Sequence, residues 1–126
     1  MNVILWLLTG LLAAMFLAAG AGKLVQSKEK LAASPSMAWA EDFSPEMLKV
    51  IGTLEVLAAL GLILPAALDV APMIVPLAAV GLGLLMIGAV ITHARRGETK
   101  NIVINVVLLV MSAVVAWGRF GPYSFR

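Results

Sequence analysis

Four long apolar runs, separated by short polar stretches, organise the chain. The first extends from Asn2 to Gly22 without a charged residue, long enough to cross a hydrocarbon core that needs about 20 helical residues. The second starts at Ser44-Pro45-Glu46, where Ser caps, Pro suits the first turn and Glu complements the helix dipole, and it ends near Pro65. The third covers about Pro72 to Thr92, with Pro76 near its start as a site for a kink. The fourth covers about Asn101 to Trp117, with Thr99 as a cap and Gly97 in the turn before it. The pattern predicts an all-α fold: an antiparallel bundle of four transmembrane helices, about 2–22, 45–65, 72–92 and 101–117, in one domain, 1–126. Ala19-Gly20-Ala21 has the look of a signal-peptide cleavage site, but the stretch lacks a basic n-region and its apolar part is too long, so it is read as a retained span.

The connection from Lys23 to Lys49 is too long for a plain turn and carries SMAWAEDF in its middle. Met37, Trp39 and Phe43 fall on one side of a short interfacial segment, with Glu41 and Asp42 left to water. Such a segment serves as an interface anchor or as a lid over a pocket. No internal repeat or low-complexity tract is present.

Composition supports a bilayer setting: 62% of residues are hydrophobic and 13% charged, with a mean hydropathy of +1.03, well outside the soluble globular range. The pI of about 9.3 does not indicate nucleic acid, because the excess is only +2 and the basic residues lie in the gaps between apolar runs. In an antiparallel bundle one side carries Arg119 and Arg126 and the other carries Lys23, Lys28, Lys30, Lys49, Arg95, Arg96 and Lys100. The positive-inside rule then places the longer loops in the cytoplasm of a bacterial-type cell membrane and both termini outside, with Trp6 and Trp117 at the outer interface. With no Cys and a single His93, the chain offers no disulfide, CxxC pair or Cys-rich metal site, and no metal is expected. Redox chemistry would need a bound cofactor or a partner.

Within the second run, VIGTLEVLAALGLIL, Glu55 stands without a charged neighbour for several positions on either side. A central charge costs roughly 2.5–3.5 kcal/mol on the insertion scale, so it must be paired, neutralised or turned toward a polar cavity. At 1.5 Å per residue, Glu55 lies about 9 Å beyond Lys49 and Asn105 about 7 Å beyond Lys100, at similar depth. The first and third runs end inward at Lys23 and His93, so all four helices deliver a polar group to one cytoplasmic-side layer. Asn101, Asn105 and Ser112 share a helical face, as do Gly52, Glu55 and Ala59. Small residues at Gly10, Ala14, Ala18 and Gly22, and at Gly81 and Gly88, offer close helix packing. Each polar residue also has a plainer role: Lys23 and His93 as interface residues, Asn105 as a hydrogen bond between helices, and Glu55 as half of a permanent pair with Lys23 or Asn105.

The stretches AAGAGKL at Ala18–Leu24, MAWAEDF at Met37–Phe43, VIGTLEVLAALGLILP at Val50–Pro65, and the end of the third run followed by NIVINVVLL together resemble the DoxX-like family of small four-helix membrane proteins, over essentially the whole chain. By that resemblance Lys23, Glu55 and Asn105 match the family's polar positions, and Trp39 matches the aromatic of its first cytoplasmic loop. The family takes its name from a subunit of a thiosulfate-oxidising quinone oxidoreductase, and other relatives are partners in oxidative-stress complexes or assembly factors for membrane receptors. This chain departs in having no Cys and no extra soluble domain, which speaks against an autonomous sulfur or thiol oxidoreductase.

The leading expectation is a membrane protein that binds a small amphipathic or quinone-like ligand and serves a redox or stress-linked partner. In it Glu55, Asn105 and Asn101 orient the polar head, Lys23 balances charge, His93 joins the polar layer and Trp39 closes the entrance. The cofactor would be a quinone or a lipid. One alternative is an assembly or interaction subunit without its own ligand, in contact with another membrane protein or a second copy. A third reading is a small proton-linked transporter using Glu55, for which broken helices and inverted repeats are missing.

Overall fold

A computed structural model describes residues Met1–Ser124; Arg126, counted above among the outer basic residues, lies outside the described residues. The element order is α1 (Asn2–Val25), α2 (Lys28–Ala33), a 3-10 segment (Pro35–Asp42), α3 (Pro45–Ala67), α4 (Ile74–Arg96) and α5 (Thr99–Phe120), with no strand among the described residues. The four long helices are each long and apolar enough to span a membrane.

Local chemistry accounts for most of the helix ends. Ser44 accepts from Met47 N–H at 3.1 Å with Pro45 in the first turn, the expected start of α3. Gly97 closes α4 in the left-handed conformation at φ 71°, which costs a glycine nothing. Other boundaries move. α3 continues past Pro65 to Ala67, because so close to the helix end the proline removes one bond and leaves the last turn intact. α4 begins at Ile74, two residues after Pro72, and Pro76 sits buried in its first turn, where a missing N–H is harmless. Thr99 does not cap α5; it is the first helical residue, Glu98 is the N-cap, and no side chain caps that end. Inside the spans, Thr9, Thr53, Thr92 and Ser112 turn their hydroxyls back onto the carbonyls four residues earlier, satisfying themselves without water.

The long helices pack in the cyclic order α1, α3, α4, α5, with the tightest pairings α1 on α3 and α4 on α5. A core of Leu12, Phe16, Leu62, Leu82, Met86 and Val115 runs through the middle. The two pairs meet closely at the Arg119 end, where Gly118 faces Leu5 and Gly61 faces Ala78 and Ile74. Toward the other end, the space between them is spanned by the 3-10 segment, whose Trp39 reaches both Lys23 of α1 and His93 of α4.

The stripe of small residues expected to pack α1 does not do so. Gly10, Ala14 and Ala18 are exposed on the bundle surface, and a Cβ added at Gly10, Gly22, Gly81 or Gly88 would meet nothing within 4 Å. The close approach uses Gly20 and Gly52 instead, where an added Cβ would come within 2.7 Å and 2.9 Å of the opposing backbone oxygen.

Candidate functional site

Gly20 and Gly52 set the geometry of the polar site, because each lies three residues before a charged side chain: Lys23 on α1 and Glu55 on α3. Helical Cα–Cβ bonds tilt toward the N-terminus. On two antiparallel helices in backbone contact, that tilt sends Lys23 and Glu55 toward one another. Their Nζ and Oε1 atoms lie 2.7 Å apart, with side chains only 6% and 7% exposed. Of the two partners considered for Glu55, the structure selects Lys23. The chain end that carries Lys23 is fixed from outside by Lys49, whose ammonium donates to the carbonyls of Lys23, Leu24 and Gln26 at 3.0, 2.6 and 3.2 Å. These are carbonyls a helix C-terminus otherwise leaves unpaired.

Around this pair stands an aromatic wall. The Lys23 ammonium lies 5.6 Å from the Trp39 ring centre, within cation–π range. Trp39 meets Phe43 and His93 edge-on at 5.6 and 5.9 Å. His93 is buried, and its Nδ1 lies 2.7 Å from Glu98 Oε1. With Nδ1–H donated to that carboxylate, Nε2 is the imidazole's remaining acceptor. Glu98 is also held by Arg96 at 3.3 Å, and Arg96 reaches across to Asp42, at the end of the 3-10 segment, at 2.9 Å. The hydrogen bond from His93, followed by that from Arg96, holds the Glu98 carboxyl below its usual value. A chain of contacts thus runs from the exposed Asp42–Arg96 pair to the buried Lys23–Glu55 pair.

Asn105 departs from the role of helix-to-helix glue. Its Nδ2 donates to the Asn101 carbonyl on its own helix at 2.8 Å, leaving its amide oxygen for another donor. Ser112 also departs from expectation: it is fully buried, bonds the Leu108 carbonyl and borders a separate α4/α5 groove rather than the site of the two asparagines.

These groups surround one cavity of about 480 Å³, within the roughly 300–1,000 Å³ usual for small-molecule sites. Lys23, Trp39, Glu55, His93, Asn101 and Asn105 all line it, and Phe16, Met86 and Leu108 form its apolar floor. The sequence reading missed Glu98, Arg96 and Asp42 as a linked group. Its one signal was a carboxylate directly after the helix-ending Gly97, whose left-handed turn folds Glu98 back over His93. Among the described residues no cluster of three or more His, Cys, Asp or Glu is placed to hold a metal ion.

The DoxX-like family model matches residues 7–115, nearly the whole chain and all four long helices. The chain belongs to the DoxX-like family. No curated protein and no solved structure gives a significant match. Membership accounts for a multi-pass membrane protein in contact with lipid through the exposed faces of its four spans. It leaves the chemistry to be argued from the cavity.

Proposed function

We propose that this DoxX-like protein binds a small amphipathic molecule in the Lys23 half of its bundle, with a quinone as the first candidate and a redox or stress-linked membrane partner as the recipient. The observation that carries this reading is convergence: α1, α3, α4, α5 and the 3-10 segment each place a polar or aromatic side chain on the same cavity, whose remaining lining is apolar. A stabilising pair alone would need only Lys23 and Glu55. It would not need Asn105 to face a cavity with its amide tied merely to its own helix. In this reading Asn105 and Asn101 receive the polar head, Lys23 and Glu55 form a charge-balanced edge, His93 supplies an acceptor and Trp39 covers the entrance. If the basic residues set orientation as the positive-inside rule expects, this is the cytoplasmic half and both termini lie outside.

The deciding experiment is mass spectrometry of lipids and quinones extracted from protein purified in mild detergent, comparing wild type with Asn105→Leu. Because the Asn105 bond is intrahelical, the variant should fold and melt close to wild type while losing the copurifying amphiphile. A wild-type extract containing only bulk lipid, in the same proportions as the variant, removes the ligand-binding reading.

The second reading, an interaction subunit without its own ligand, is favoured by the outward stripe of Gly10, Ala14 and Ala18 on α1. Small residues on a lipid-facing surface let another helix approach closely. A stable partner retained in place of a ligand would put this reading first.

A further inference from the structure

The cavity opens sideways as well as toward the 3-10 segment. Leu84, Ile104 and Met15 line it, yet their exposures are 65%, 43% and 40%. In membrane-spanning helices, exposed surface faces lipid chains. Gly88 also lines the cavity and is exposed, and a Cβ added there would meet nothing within 4 Å. Leu84 and Gly88 of α4 form a mouth, and Met15 of α1 and Ile104 of α5 add exposed lining of their own. Two close contacts between these helix pairs, Leu5–Gly118 and Gly61–Ala78, lie at the Arg119 end, away from this cavity.

The charges around the cavity narrow the head group. Lys23 is matched by Glu55. Farther out, Arg96 is matched by Asp42 and Glu98, and Glu98 also engages His93. Lys49 faces the carbonyls at the end of α1. An anion entering the cavity would find its lysine already paired and a carboxylate 2.7 Å from it, a poor exchange in a low-dielectric interior. What the lining does offer is uncharged hydrogen bonding from Asn101, Asn105 and Thr92, beside the His93 imidazole and the Trp39 and Phe43 rings.

Resting on the ligand-binding reading, we infer that the occupant is a bilayer-dissolved molecule with an uncharged, hydrogen-bonding ring or head and an apolar chain, and that it enters laterally past Gly88 with the chain left in the mouth. The head group sits between the asparagines and the Trp39 wall; the chain runs out over Leu84.

The test uses Trp39 as the reporter in full-length Trp6→Phe/Trp117→Phe protein in detergent, since quinones quench indole emission. Three probes are compared: a decyl-substituted benzoquinone, the same ring without the chain, and decanoate read by competition. The expected result is saturable quenching by the decyl compound, weakened about tenfold by Gly88→Leu, while the bare ring is little affected by that change and decanoate does not compete. Gly88→Leu has room for its side chain and should fold; Ala19 of α1 also lines the cavity and is exposed, so Ala19→Leu is the second mouth variant. Unchanged decyl binding in both variants overturns lateral entry while leaving the pocket in place. Displacement by decanoate at equal or lower concentration overturns the uncharged-head assignment. Absence of saturable quenching by either quinone in folded protein removes the ligand-binding reading itself, and this inference with it.

Discussion

Two buried cations stand at opposite ends of one bundle, and their surroundings differ. Arg119, on the last turn of α5 and 2% exposed, donates to Asn2 Oδ1 at 2.5 Å and to the Tyr123 carbonyl at 2.9 Å, and lies 5.6 Å from the Trp6 ring centre. Lys23, on the last turn of α1 and 5% exposed, meets the Glu55 carboxylate beside a cavity. At the Arg119 end, the Asn2 and Tyr123 oxygens and the Trp6 face are among the groups that hold the cation where helices converge. At the Lys23 end the same kind of residue is matched charge for charge where they separate. A buried cation is thus a clasp in one place and part of a charge-balanced wall in the other, and the partner decides which.

The largest effect that separates the two ends comes from removing each cation. Lys23→Met leaves Glu55 buried without its counter-charge and should cost about 3–5 kcal/mol. Lys23→Met/Glu55→Gln should recover a substantial part of that loss, so the double variant is less damaging than the sum of the singles. Arg119→Met removes the bonds to Asn2 and Tyr123 and should cost less, about 1–3 kcal/mol. Denaturant unfolding in a fixed detergent measures these three variants and the Glu55→Gln single that completes the cycle. Additive losses at the Lys23 end, or a greater loss at Arg119 than at Lys23, would erase the distinction.

Glycine contacts sharpen the comparison at a smaller scale. At Gly52 an added methyl meets the Gly20 carbonyl oxygen and the Lys23 Cβ, both at 2.9 Å. Neither atom can move without shifting α1, so Gly52→Ala should cost about 1–3 kcal/mol and lengthen the Lys23–Glu55 contact. At Gly118 the obstacle is the tip of Leu5, with Cδ1 at 2.5 Å. A rotamer adjustment of about 0.5–1.5 kcal/mol is offset by the roughly 1 kcal/mol gain in helix propensity, and Gly118→Ala should be near neutral. The same unfolding assay ranks them; equal losses would show that backbone contact does not set the pair.

The hydrophobic pattern was sufficient for the spans because apolar residues dominate about 20 consecutive positions in each, with Glu55 the one charge deep inside a span, a constraint the bilayer imposes locally. The convergence of Lys23, Glu55, His93, Asn101 and Asn105 followed from helix rise and alternating direction alone. Which residues touch was harder to read. Small residues at Gly10, Ala14 and Ala18 look as suitable for packing as Gly20, yet they lie roughly 80–160° around the helix from it, and weak amphipathicity in a lipid-facing helix does not fix which set faces α3. The Asp42–Arg96–Glu98–His93 chain was hidden because Asp42 and Arg96 are 54 positions apart and its link depends on one left-handed glycine. Arg119 was read only as a loop-side charge, since nothing in sequence brings Asn2 and Trp6 to it.

The smallest effect concerns the coupling between the 3-10 segment and α4. Glu98 is held below its ordinary value by His93 and Arg96, so its folded carboxyl binds a proton less readily than its unfolded one. A group with a lowered folded value adds stability that is fully present above its unfolded value, about 4.3 for Glu, and is lost as pH falls through the folded value. Wild type should therefore show little change from this group between pH 7 and about 5, then a falling Tm below about pH 4.3. Glu98→Gln should begin lower at pH 7 and show a shallower acid decline. Other carboxylates titrate in the same range, so the difference between the two profiles is the measured quantity. Parallel curves for Glu98→Gln and wild type would mean that the Glu98 bonds to His93 and Arg96 contribute nothing that titrates, and that the 3-10 segment is held to α4 without them.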